Sequence, residues 1–214
     1  MTDRSDTPAD ATALRHLSAS TLGHYARDPE GFWHATRDHD VSQNTRALLD
    51  AIEGTPPFSI LDFGCGPGRD LATFRALGHD AVGLDGATAF VAMARAHSGC
   101  PVLHQDFLAL DLPPERFDGV FANASLFHVP SAALPSVLRA LAAALKPRGV
   151  LFCSNPRGDN QEGFNGERYG CFHDLETWSR YVTAAGFAAL GHYFRPPGRP
   201  RDQQPWLATV WRKA

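Results

Sequence analysis

The sequence predicts an α/β fold: a seven-stranded, mostly parallel sheet with helices on both faces, an antiparallel last strand and an N-terminal helical cap. Three observations carry it. From residue 58 onward, short apolar runs alternate with helical-period segments, the rhythm of strand–helix–strand crossovers. The first apolar run enters a glycine cluster and a helix follows. The last two apolar runs have no helix between them, so one of them runs antiparallel at the edge.

The 214 residues suit one domain covering 1–214, divided into a flexible start at 1–19, a helical cap at 20–57 and a core at 58–214. In the cap, Asp28-Pro29-Glu30 marks a break or a helix start, and a second amphipathic stretch carries Val41, Leu48, Leu49 and Ile52. Residues 58–63 form the first strand. Arg69 to Leu77 is helical, and Gly78 closes it. Residues 81–85 are the second strand and 88–97 the second helix; 101–104 and 117–122 are the third and fourth strands. Ser131 caps a helix whose apolar row is Leu134, Val137, Leu138, Leu141 and Leu145. Residues 150–153 are the fifth strand. The stretch 155–173, rich in Gly, Asn and Arg, reads as a long lid loop. A helix at 175–185 precedes strands at 187–194 and 206–211.

Twenty basic against 23 acidic residues give a formal charge of −3, which disfavours a nucleic-acid binder held by a broad cationic surface and a polybasic membrane anchor. The longest apolar runs are too short to span a bilayer, and the first residues lack a basic-then-apolar signal pattern. Cys65, Cys100, Cys153 and Cys171 form no Cys-x-x-Cys pair, which points to free thiols and a cytoplasmic setting. His34, His39 and Asp40 do not converge as a metal triad would, so no metal is expected.

The sharpest signal is Ile60-Leu-Asp-Phe-Gly-Cys-Gly-Pro-Gly-Arg-Asp70. Glycines at 64, 66 and 68 let the chain turn tightly and let a ligand approach the backbone, while the following helix presents free amides. Asp85 lies 21 residues after Gly64, where a carboxylate meets ribose hydroxyls. Asp106-Phe107 follows the third strand and could accept from an adenine amine and cover its ring. Gly-x-Gly-x-Gly differs from the dinucleotide spacing, and Asp62 ahead of it would repel pyrophosphate but suit an ammonium group.

Leu61-Asp-x-Gly-Cys-Gly-x-Gly68 resembles the first motif of class I S-adenosylmethionine-dependent methyltransferases; Phe117-Asp-Gly-Val and Leu145-Lys-Pro-x-Gly-Val-Leu resemble its later strand motifs. The resemblance implies a Rossmann-like fold, S-adenosylmethionine as cofactor and S-adenosylhomocysteine as product. It sets Asp62 and Gly64 at the methionine amine, with Cys65 in the loop. Gly66 and Gly68 give room, Asp85 and Gly86 lie at the ribose, Asp106 and Phe107 at adenine, and Asn123 at the sulfonium. Tyr25, Trp33 and Arg37 are candidates to close over the cofactor, Arg37 on its carboxylate. The segment Asn123-Ala-Ser-Leu-Phe-His-Val-Pro130 lacks the Asn/Asp-Pro-Pro-Tyr/Phe of base and amide methylators, which favours a small-molecule acceptor.

His128 is a candidate base, with His173 and Tyr169 next; Arg157, Glu162, Asn165 and Arg168 are candidates to bind a polar or anionic acceptor. Each also has an ordinary reading as a structural or solvated side chain. The expected partner is a small methyl acceptor, with the chain a monomer or homodimer. Two rival functions stay open: a nicotinamide-dependent oxidoreductase, and a regulatory protein that binds the cofactor without turnover.

Overall fold

The computed structural model describes residues 11–214, so the part of the expected flexible start at 1–10 lies outside the described residues. The helices α1 (Ala11–Arg27), α2 (Pro29–Thr36) and α3 (Ser42–Leu49) form the cap. Residues 11–19, expected to be flexible, are the first turns of α1, which Ser18 ties to the body of the protein by donating to Asp106 (2.7 Å). The break at Asp28 is real: its carboxylate accepts from Gly31 N (2.9 Å), with Pro29 as the first helical residue, the arrangement that starts α2.

The core alternates as the apolar rhythm requires: β1 (Ser59–Phe63), α4 (Arg69–Ala76), β2 (Asp80–Asp85), α5 (Thr88–Ser98), β3 (Val102–His104), β4 (Phe117–Asn123), α6 (Leu134–Ala144) and β5 (Leu145–Pro156). Then come a hairpin of β6 (Gln161–Asn165) and β7 (Arg168–Phe172), α7 (Leu175–Ala184), β8 (Phe187–Arg195) and β9 (Trp206–Lys213). The seven-stranded sheet runs β3-β2-β1-β4-β5-β9-β8. The first five strands of that order are mutually parallel, and the last strand of the chain, β9, runs antiparallel between β5 and β8, leaving β8 at the edge. This is the Rossmann-like architecture.

Both faces are covered. Leu48 of α3, Leu71 and Phe74 of α4 and Val91 of α5 pack on one side; Val137, Leu138 and Leu141 of α6 and Trp178 and Val182 of α7 pack on the other. Burying each such side chain contributes about 1.5–3 kcal/mol. The strand order reverses between β1 and β4, and the crevice opens at their carboxyl ends, beside Gly64 and Ala124.

Two local expectations fail. Residues 155–173 are not an open loop: β5 continues to Pro156, and residues 161–172 fold back as a hairpin with Gly166 first in a two-residue turn (φ +63°). Ser131 does not cap α6, which starts after Ala133 without a side-chain cap; Ser131 instead donates its N–H to Glu162 (2.9 Å) and meets His173 through its hydroxyl (3.3 Å).

Candidate active site: a nucleoside cleft opening on a larger cavity

The glycine loop leaves β1 and is stitched to β2: Gly64 N and Cys65 N both donate to Leu84 O (2.8 and 3.0 Å). Asp85, 8% exposed at the end of β2, accepts from Gly66 N through one oxygen (2.9 Å) and from Ala87 N through the other (2.8 Å). One carboxylate thus braces both loops that floor the cleft and still has lone pairs facing it. Burial holds its pKa above the usual carboxylate value, against the amides that favour the charged form.

The first cavity is lined by this floor, by Gly86, Asp106, Phe107 and Leu108, and by α1 through Ser18, Leu22 and Tyr25. Asp106 is held by Ser18 Oγ and by Leu108 N (2.9 Å), and the Phe107 ring stacks on Phe63 at 4.2 Å. A second, roomier cavity (about 560 against 90 Å³) shares Tyr25, Phe32, Gly64, Gly66 and Ala124 with the first. It extends over Trp33, Cys65, Asn123 and Asp70 to Phe127, Arg168, Arg195 and Trp206. Trp33 lies in its wall, stacked on His97 at 4.4 Å.

A buried polar chain fixes the floor of the larger cavity. Arg69 grips Asp70 in bidentate fashion (2.7 and 2.8 Å); Asp70 accepts from Asn123 (3.0 Å), Asn123 from Asn44 (2.9 Å), and Asn44 from Tyr193 (2.9 Å). Beneath the glycine loop, Asp62 is 2% exposed and its Oδ2 has no partner among the described residues. Burial, with Asp70 nearby, pushes its pKa well up. It lines neither cavity, so the expectation that it faces the ligand directly is not what the structure shows.

His128 sits between the cap and β7. Its Nδ1 faces Tyr169 O (2.7 Å), which can only accept, so Nδ1 carries the hydrogen and Nε2 accepts from the Tyr25 hydroxyl (2.8 Å). Burial lowers its pKa to about 4. Its basic lone pair is therefore already committed, and the open-base reading does not hold in this geometry. Burial raises the pKa of Tyr25, against the pull of the neighbouring Arg168 guanidinium.

Several expected site residues lie elsewhere. Arg37 pairs with Asp38 on the surface (3.3 Å) and lines no cavity; Arg69 is the cation beside the loop. Gly68 packs against α5, where a Cβ would come within 2.8 Å of Ala94 Cα, so it serves helix contact and not ligand room. Tyr169 contributes its backbone, its ring lying against Phe164. His173 is 8% exposed, packed beside Trp178 and Tyr181, away from both cavities. Arg157 holds Gln204 O and Arg201 O, and Asn165 is exposed on the hairpin. Glu162 accepts from Ser131 N (2.9 Å), and of the four acceptor candidates only Arg168 lines either cavity. Cys65 does so as well, but burial raises its thiol pKa well above the ordinary value, so it is an inert wall. The sequence reading missed Phe32, Arg69, Asp70, Phe127, Arg195 and Trp206. Only Arg69-Asp70, directly after the last glycine, carried a usable positional signal.

A mostly parallel sheet with a glycine loop, a braced acid on the next strand and a cleft at the strand-order reversal defines a Rossmann-like nucleoside-binding protein. Residues 60–149 match a family model described as a methyltransferase domain. A ubiquinone biosynthesis O-methyltransferase of Burkholderia pseudomallei is 31% identical over 154 residues, 69% of this chain and 64% of that one. A phosphoethanolamine N-methyltransferase of Zea mays is 24% identical over 159 residues, 69% of this chain and 31% of that one. This chain therefore spans less than two thirds of the length of these relatives. The solved 1,6-didemethyltoxoflavin-N1-methyltransferase of Burkholderia thailandensis, with bound 1,6-didemethyltoxoflavin and S-adenosylhomocysteine, shares the fold over 100% of this chain and 93% of that one (TM-score 0.74, 22% identity). These matches support a class I S-adenosylmethionine-dependent methyltransferase.

Proposed function

We propose that this protein transfers a methyl group from S-adenosylmethionine to a small polar molecule and releases S-adenosylhomocysteine. One observation carries the reading: a narrow cleft with nucleoside chemistry and a larger cavity meet at a shared wall of five residues. Donor and acceptor held on either side of that wall would face each other, and alignment of this kind can supply several kcal/mol of barrier reduction.

The residues present fit the cofactor. Asp85, in the wall of the cleft, suits ribose hydroxyls, and Asp106 and Phe107 suit a base. When bound, the cofactor supplies an electrophilic methyl group. The protein's own part is orientation. With His128 titrating near 4, parking a proton there at pH 7 would cost about 4 kcal/mol, so Tyr25, in the wall shared by the two cavities and held by His128, orients the acceptor and does not strip it of a proton. An acceptor atom with a free lone pair suits this site best. The four buried free cysteines agree with a cytoplasmic setting.

Isothermal titration with S-adenosylhomocysteine tests the reading. Saturable binding is expected; no binding by protein with a cooperative thermal transition would refute it. NADH binding in its place would favour the oxidoreductase, and binding without turnover on any acceptor the regulatory alternative.

A further inference from the structure

Three arginines line the larger cavity, and their electrostatic situations differ. Arg69 is neutralised by Asp70 through two hydrogen bonds. Arg168 and Arg195 make no ion pair among the described residues. Asp40, an acid in the same wall, accepts from Ser42 N through its side chain, gives Arg195 its backbone carbonyl (2.7 Å) and acts on that guanidinium by charge without an ion pair. The Nε of Arg195 is buried with no acceptor among the described residues. A buried donor left unmade is costly, and two guanidinium groups without an ion pair in one concave wall raise the cost. Trp206 and Phe127 lie in the same wall and add flat apolar surface.

Arg195 ends β8, the edge strand, four strands from β1 and about 19 Å away at ordinary strand spacing. It enters the cavity from the side opposite the glycine loop. Arg168 comes from β7 and touches Tyr25 at the wall shared with the nucleoside cleft. The two cations thus frame the space beyond the shared wall and not the cleft itself.

We infer that the methyl acceptor carries an anionic group, a carboxylate or a phosphate, which Arg168 and Arg195 hold in the larger cavity while Tyr25 orients the atom to be methylated. The inference rests on the methyltransferase reading and narrows its substrate class. The anion satisfies the orphaned Arg195 Nε, and the planar fork of each guanidinium matches two oxygens of either group.

The test is titration of inorganic phosphate and, separately, acetate into the full-length protein with and without S-adenosylhomocysteine, in wild type, Arg168→Gln, Arg195→Gln and Arg195→Lys. At least one anion should bind the wild type, and which one binds distinguishes the two sources. Each Gln variant should weaken that binding about tenfold or more, with Arg195→Lys, which keeps the charge, losing less. Affinity for S-adenosylhomocysteine should stay within about twofold in all of them. Arg195→Lys also serves if the Gln variant does not fold. The inference is overturned if neither anion binds the wild type, if the variants bind as well as it does, or if they lose S-adenosylhomocysteine affinity, which would assign the arginines to the cofactor's own carboxylate. Absence of S-adenosylhomocysteine binding by the wild type strikes the methyltransferase reading instead, and the anion titration without it still decides this one.

Discussion

Gly66 and Gly68 stand two residues apart in the same loop, yet adding one methyl group to each should do opposite things. Gly66 has φ +51°, close to the left-handed well that an L-residue can enter, and a Cβ there would meet only Phe32 Cε1 at 3.7 Å. Gly66→Ala should cost about 1–2 kcal/mol of backbone strain, partly offset by a stiffer unfolded chain. For a chain of this size that lowers Tm by about 2–4 °C. The new methyl group points into the wall shared by the two cavities, so S-adenosylhomocysteine should bind at least about tenfold more weakly. Gly68 has φ +97°, and its Cβ would sit 2.8 Å from the backbone of Ala94. Gly68→Ala should force α4 from α5, costing about 3 kcal/mol or more, with a Tm loss of about 6–12 °C. Any loss of ligand affinity there should follow the loss of fold. Thermal melts and isothermal titration on both variants decide it. Gly66→Ala binding within twofold of wild type, or Gly68→Ala losing ligand at an unchanged Tm, would refute the division of labour.

Asp62 has its folded pKa above the unfolded value, so its ionised form burdens the fold: the penalty is absent below the unfolded pKa, grows as pH rises and is complete above the folded pKa. Asp62→Asn should therefore gain Tm over wild type by a margin that widens from pH 5 to pH 8, and a margin that narrows would contradict the assignment. His128 is neutral in the fold, so its contribution is present above about pH 6.5 and fades as pH falls toward 4, about 3 kcal/mol in all. His128→Asn should flatten the Tm–pH slope across that window, and an unchanged slope would show that the ring is not buried neutral. Tyr25→Phe leaves His128 Nε2 without a donor and should lower kcat while S-adenosylhomocysteine affinity changes little; a change confined to that affinity would place the hydroxyl at the cofactor instead.

The strand–helix rhythm was legible because each crossover buries its own apolar row, so composition and topology agree from Phe58 to Leu151. The lining of the first cavity was legible for the same local reason: loop, acid and aromatic each come at or just past the end of a strand. Arg195 and Trp206 were not, because they reach the cavity only through the antiparallel insertion of β9, a long-range pairing that leaves no local mark. The hairpin was missed because its exposed strands have little apolar alternation and only the Gly166-Glu167 turn betrays them. Tyr169 and His173 were overvalued on residue type alone; the geometry uses the first for its carbonyl and the second for packing.

The helix α1 is bolted to the hairpin at three places: Ser20 to Glu167 O (2.9 Å), Tyr169 N to Thr21 (3.0 Å), and the Arg27–Glu167 ion pair. The roof of the first cavity and the side of the larger one are thus one mechanical body. A displacement that opens one loosens the other, so ligands in the two cavities should depart together. Amide exchange in 18–27 and 161–172 should then slow in step as S-adenosylhomocysteine is added, and segments that respond independently would show the bolt to be loose.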